Sequence, residues 1–137
     1  MRLWHKDLIP VLPRKQLLGQ WRECCLIAKH IAEKGTPNHI LVNKIMDYTL
    51  NHFYNYGMLV AVEMDKRGYE CTFEKFSNYF TYPHETGFIF KNEIFKHWHT
   101  HRYLKQCLYN LEEKYDCGGI SREEWIPIYD KFHYKNN

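Results

Sequence analysis

Residues 17–25 read LLGQWRECC and place an arginine beside a glutamate, Arg22 and Glu23, with Gly19 one turn back. Successive residues of a helix are rotated by about 100°. Arg22 and Glu23 therefore lie on neighbouring faces, and Gly19 falls between them. A cation and a carboxylate flanking bare backbone could receive a polar ligand at close range. Glycine inside a helix costs roughly 0.5–1 kcal/mol relative to alanine, and close approach of a ligand is one use that would offset this. The pattern equally fits a solvated face with an incidental glycine, and periodicity leaves both open.

Two further constellations carry candidate chemistry. HWHTH supplies His97, His99 and His101. On a strand these would share one face, and three imidazoles can bind zinc. The segment leads into a helix, however, where that spacing scatters them, and no Cys or carboxylate stands at ligand spacing. Partly buried or phosphate-facing histidines are the expectation, with no metal. The tail WIPIYDKFHYKNN interleaves Trp125, Tyr129, Phe132 and Tyr134 with Lys131, His133 and Lys135. Aromatic faces stack on bases and cations meet phosphates, although the aromatics could as well be core and the lysines surface. No Walker loop, GxGxxG, GxSxG or HExxH motif is present.

The element around Arg22 and Glu23 is well marked. Pro10 and Pro13 forbid a regular helix before residue 14 and can start one just after. The spacing predicts a helix over Arg14–Lys34, stopped by Gly35 with Pro37 beyond. Leu17, Trp21, Cys24, Ala28 and Ile31 form its core stripe. Further on we expect a helical turn near 42–47 and a long helix from Thr49 to Arg67 closed by Gly68. A short helix capped by Thr72 should follow, then an irregular stretch over 81–96. Another helix should run from Thr100 to Tyr115 with Leu104, Leu108 and Leu111 inward, stopped by Cys117-Gly118-Gly119. A capping box, Ser121 with Glu124, opens a last helix that Pro127 limits. Alternating strand patterns are nearly absent. The expected fold is all-α, a compact single-domain helical bundle over 1–137 with short helices and irregular loops.

Composition narrows the class. Aromatic residues make up 17% of 137, ample for a packed interior. No apolar run approaches the roughly 20 residues of a membrane helix, and MRLWHKDLIP lacks a signal-peptide core. A cytoplasmic protein is expected. Five cysteines without a CxxC pair, two of them adjacent, suggest reduced and mostly buried thiols. Residues 1–35 carry seven bases against three acids, a net +4, whereas the remainder carries 12 against 13. The positive field of Arg2, Arg14, Lys15 and Arg22 suits an anionic partner, nucleic acid above all.

The order of these parts resembles the pyrimidine dimer DNA glycosylase family, the phage endonuclease V type. The similarity rests on MRLW, the Pro-bounded segment, the helix carrying QLLGQWRE, the helix end MDKRGY and the aromatic basic C-terminus. It is strongest over the first 25 residues and looks closest to a bacterial branch. The resemblance implies that the N-terminal α-amine attacks C1′ of a damaged nucleotide, expels the base and forms an imine, after which β-elimination nicks the strand. Carried over, the amine is that of Met1, the assisting carboxylate is Glu23, and Arg22 contacts DNA. The phage-type enzyme begins with a small residue after Met removal. Arg2 is too large to permit that processing, so Met1 itself is expected to bear the amine.

The chemistry is sensible in its own right. An α-amine has a reference pKa near 7.7–8.0 against about 10.4 for a lysine, so at pH 7.5 roughly a third of such amines are free base, against about 0.1% of lysines. The expected partner is double-stranded DNA, bound by a monomer through Arg2, Arg14, Lys15, Arg22, Lys131, His133 and Tyr134, with no membrane and no cofactor. Thymine dimers, formamidopyrimidines, modified bases and abasic sites all remain open as substrates. A non-catalytic nucleic-acid-binding module on the same fold is the alternative.

Overall fold

The computed structural model describes residues 1–132. Five α-helices and three 3-10 helices follow one another, and there is no strand among the described residues. The α-helices are α1 (Arg14–Lys34), α2 (Leu50–Lys66), α3 (Glu74–Ser77), α4 (His101–Asp116) and α5 (Arg122–Phe132). The 3-10 segments are Lys6–Val11, Asn43–Asp47 and Lys91–Glu93. The all-helical expectation holds. No helix among the described residues is long and apolar enough to cross a membrane.

Helix α1 has the predicted bounds because its signals are local. Pro13 precedes it, and Gly35 ends it in the left-handed conformation (φ 79°) with its N–H on the Ile31 carbonyl. The stripe Leu17, Trp21, Cys24, Ala28 and Ile31 is buried, joined by Gln20 and Ile27. Trp21 packs against Phe73 and Phe76, at ring-centroid distances of 6.5 and 5.9 Å. Phe76 in turn lies on Gly57 of α2 so closely that a Cβ at position 57 would collide with its ring. That contact lets α1, α2 and α3 share one aromatic layer.

The KRG end of α2 has a structural task. Arg67 pairs with Glu63 (2.7 Å) and donates to the carbonyls of Leu12 (2.8 Å) and Pro10 (3.2 Å). It thereby fixes the Pro-bounded segment ahead of α1. That segment was expected to be irregular, and it forms a 3-10 turn that accommodates Pro10.

Three local expectations are corrected. Thr72 does not cap α3: Phe73 occupies the N-cap, and no side chain caps it. Pro127 does not limit α5, which continues through it to Phe132. Proline here removes one helical hydrogen bond on an exposed face, while Ile128 and Phe132, four residues apart, are buried and hold the next turn in place. The thiols are less buried than expected: Cys24 and Cys107 are buried, Cys25 and Cys71 are half-buried, and Cys117 is exposed. Half of the capping box at Ser121 and Glu124 forms, the Glu124 N–H donating to the serine hydroxyl at 3.2 Å, while the Glu124 carboxylate accepts from that hydroxyl (3.3 Å) and from the Arg14 N–H (2.8 Å).

Candidate active site

The first five residues form no helix and thread into the protein ahead of the 3-10 turn that starts at Lys6, and Leu3, Trp4, His5 and Lys6 are all buried. Buried peptide groups need partners, and no neighbouring strand supplies them. Side chains from distant elements do so instead. Gln20 of α1 accepts from the Trp4 N–H (2.7 Å) and donates to the Arg2 carbonyl (3.0 Å). The Tyr103 hydroxyl of α4 donates to the Leu3 carbonyl (2.6 Å), and the Tyr56 hydroxyl of α2 to the Trp4 carbonyl (2.5 Å). His99 accepts from the Lys6 N–H at 3.0 Å through Nδ1. The buried Lys6 ammonium donates to the Ile94 carbonyl (2.5 Å).

These roles settle the histidine cluster. His97 and His101 are exposed, whereas His99 is buried against Phe95, Trp98 and Tyr103. Burial, foremost, and then the neighbouring His5 and Lys6 lower the His99 pKa to about 2. It is therefore neutral, as an Nδ1 acceptor must be. His5 stacks on His99 at 5.1 Å. Its Nδ1 accepts from the Asp7 N–H (3.1 Å) and its Nε2 donates to the His99 carbonyl (3.1 Å). Burial lowers its pKa as well, against the opposing pull of Asp7. Neutral His5 makes its 4.0 Å approach to the Asp7 carboxylate a dipolar contact rather than an ion pair.

The threaded segment delivers Met1 to a cleft of about 360 Å³ on the outer side of α1. Its walls include Met1, Arg2, Lys15, Gly19 and Glu23, all read from sequence as site residues. Glu23 is the one carboxylate among the lining residues, facing Arg2, Lys15 and Lys114. Met1 is 45% exposed and also borders a more apolar hollow beside Leu26, Ile27, His30 and Pro37. Arg22 is exposed and lies beside the cleft, its guanidinium 3.9 Å from where a Cβ on Gly19 would stand.

The other basic candidates sit elsewhere. Arg14 spreads over the ring of Tyr69 (5.6 Å), and its N–H binds Glu124 (2.8 Å), at the junction of α1 and α5. The Lys131 ammonium donates to the Asp7 carbonyl at 3.1 Å. His133 and Tyr134 lie outside the described residues. Of the tail aromatics, Phe132 is buried and Trp125 stacks on Tyr115 at 5.2 Å.

Sequence reasoning missed Gln16, Gln20, Leu41, Asn110 and Lys114 as lining residues. Gln20 carried a signal, a polar residue on an otherwise apolar stripe. Asn110 and Lys114 stand four apart on α4, a polar pair beside the inward leucines. Gln16 Oε1 is buried without a protein partner, leaving an acceptor in the wall of the cleft.

A family model described as pyrimidine dimer DNA glycosylase matches residues 1–76, rather more than half of the 137. No curated protein and no solved structure matches the chain.

Two stability predictions follow from this geometry. An alanine methyl at position 19 would meet only Arg22, at ordinary contact distance. Gly19→Ala should therefore raise stability by about 0.5–1 kcal/mol in denaturant unfolding; a loss would show that the backbone there rejects alanine. The second concerns acid. The folded pKa of His99 lies below its unfolded value of about 6.5, so its contribution is complete above that pH and is lost as pH falls. The loss is about 1.4 kcal/mol per unit below it, or roughly 2 kcal/mol by pH 5. His99→Asn keeps an acceptor near Nδ1 and should flatten this acid limb; an unchanged slope would remove His99 as its cause.

Proposed function

Because the chain belongs to the pyrimidine dimer DNA glycosylase family, we propose that it excises damaged bases from double-stranded DNA and nicks the resulting abasic strand through the Met1 amine. The observation that carries this reading is the shared cleft. Met1 and Glu23, 22 positions apart in sequence, line one concavity together with Arg2 and Lys15.

In the proposed reaction the neutral amine of Met1 forms a bond to C1′. The glycosidic bond breaks, and its electron pair leaves with the base. Opening of the sugar ring gives an imine between Met1 and C1′. Loss of a C2′ proton then expels the 3′-phosphate by β-elimination, and water releases the protein. Glu23 stands where a carboxylate can stabilise the cationic sugar and imine, or carry the C2′ proton. Arg2 and Lys15 supply positive charge for the flanking phosphates, and Arg22 contacts the strand from beside Gly19. Arg14 and Lys131 extend the basic surface, and His133 and Tyr134 belong to this proposal on the strength of the sequence alone. No cofactor is required. Thymine dimers and bare abasic sites are the substrates to test first.

Borohydride reduction during reaction with an abasic duplex should trap the protein on DNA, with the adduct mapping to Met1. Glu23→Gln should bind the same duplex and cut it at least about a hundredfold more slowly, the usual scale of a lost acid–base group. An adduct on Lys15, or trapping undiminished by a blocked N-terminus, would overturn the amine assignment. Binding without cutting by the unmodified protein would mark it as a non-catalytic module. Gly19→Ala should lose cutting while gaining stability, because the substrate then meets a methyl group where it expects backbone.

A further inference from the structure

A second concavity of about 490 Å³ adjoins the Met1 cleft. Arg2, Lys44, His97 and Arg102 contribute to its wall, and the lining residues include no carboxylate. Arg2 and Leu41 line both concavities. The turn that carries Leu41 is therefore the partition between them. In the same turn stands Ile40, 84% exposed, a β-branched apolar side chain that lines the second concavity beside these cations.

This turn is built to hold its shape. Asn38 takes a left-handed backbone (φ 53°). The His39 N–H donates to the Asn43 side chain (2.9 Å), and the His39 ring accepts from the Leu41 N–H (3.2 Å). The His39 carbonyl receives the N–H groups of Val42 (3.0 Å) and Asn43 (2.9 Å). Val42, two residues beyond Ile40, is fully buried and anchors the turn to the core. His30 of α1 reaches the Thr36 carbonyl at 2.8 Å and holds the approach. A stiff turn that keeps an isoleucine in water loses the gain of burying it. The side chain contributes nothing to the fold in return.

We propose that Ile40 is a wedge, entering the base stack at the step vacated by an everted nucleotide while Arg2, Lys44 and Arg102, in the concavity that Ile40 also lines, hold the phosphodiester backbone. The proposal rests on the glycosylase reading and adds to it the residue that keeps the duplex open. An enzyme that works on a nucleotide outside the helix must meet the cost of unstacking it, and an apolar side chain inserted at the step is a direct means. Geometry suits the role: Leu41, next to Ile40, borders the cleft that would receive the nucleotide, and the basic groove that Ile40 lines continues the phosphate path. Ile40 is a positioning residue, since it touches DNA but not the reacting atoms.

The test compares wild type, Ile40→Ala and Ile40→Leu on an abasic site in duplex and in single-stranded DNA, with 2-aminopurine beside the site to report unstacking. Ile40→Ala should lower the ratio of duplex to single-strand incision about tenfold and abolish the fluorescence rise on binding the duplex. Ile40→Leu should restore both. A residue that acted only through folding would shift both substrates together and would change the melting temperature, which an exposed side chain should leave unmoved. An unchanged ratio with an unchanged fluorescence rise in Ile40→Ala overturns the wedge and leaves the glycosylase reading intact. A wild type that unstacks the duplex without cutting it, with Ile40→Ala failing to unstack, sinks the enzymatic reading and supports the wedge.

Discussion

The structure turns on how a non-helical N-terminal segment, buried from Leu3 onward, is kept inside a helical protein without a strand beside it. A buried peptide group left unpaired costs as much as a lost hydrogen bond or more. Here the debt is spread over side chains from four places: Gln20, Tyr56, His99 and Tyr103. Gln20 is the most constrained of them. Its oxygen takes the Trp4 N–H and its nitrogen gives to the Arg2 carbonyl, so the amide can stand only one way round. The tyrosines must stay protonated to donate, and burial, which raises the pKa of both, keeps them so. The histidine must stay neutral to accept, and burial works in that direction too. One physical term, the exclusion of water, thus favours the protonation state that each of these three groups requires, whereas at Lys6 it opposes the ammonium.

The anchor explains the distribution of polar residues. The core side of α1 is apolar except at Gln20, and the outer side carries Gly19, Arg22 and Glu23. One helix therefore both clamps the N-terminal segment from within and presents the carboxylate from without. The loop over 94–99 completes the clamp. Phe95 adopts a left-handed backbone (φ 51°), a strained state for a bulky residue, with its ring buried and its N–H on His52 (3.1 Å). That strain sits beneath the segment it helps to position.

Much of this was legible in the sequence where the controlling signals are local. Pro13 and Gly35 bracket α1 to the residue, and the leucine spacing orients α4. The pairing of Glu23 with the N-terminus was legible only through family resemblance, since nothing in the first six residues announces that they fold back under α1. Pro127 misled because its local rule was outweighed by the burial of Ile128 and Phe132. HWHTH was ambiguous because imidazoles at alternate positions suit several uses; only the Lys6 N–H, 93 positions away, decides the role of His99. Asn110 and Lys114 reached the cleft through helix packing that no local pattern encodes.

The Leu3 carbonyl waits on a hydroxyl 100 residues further along the chain. Residues 1–6 are therefore among the last to find their places, since α4 must be made before the loop between them can close. Assembly of the cleft that Met1 and Glu23 line therefore waits on α4 as well. The long separation between Leu3 and Tyr103 thus makes the seating of the N-terminal segment a late event in folding rather than a local one.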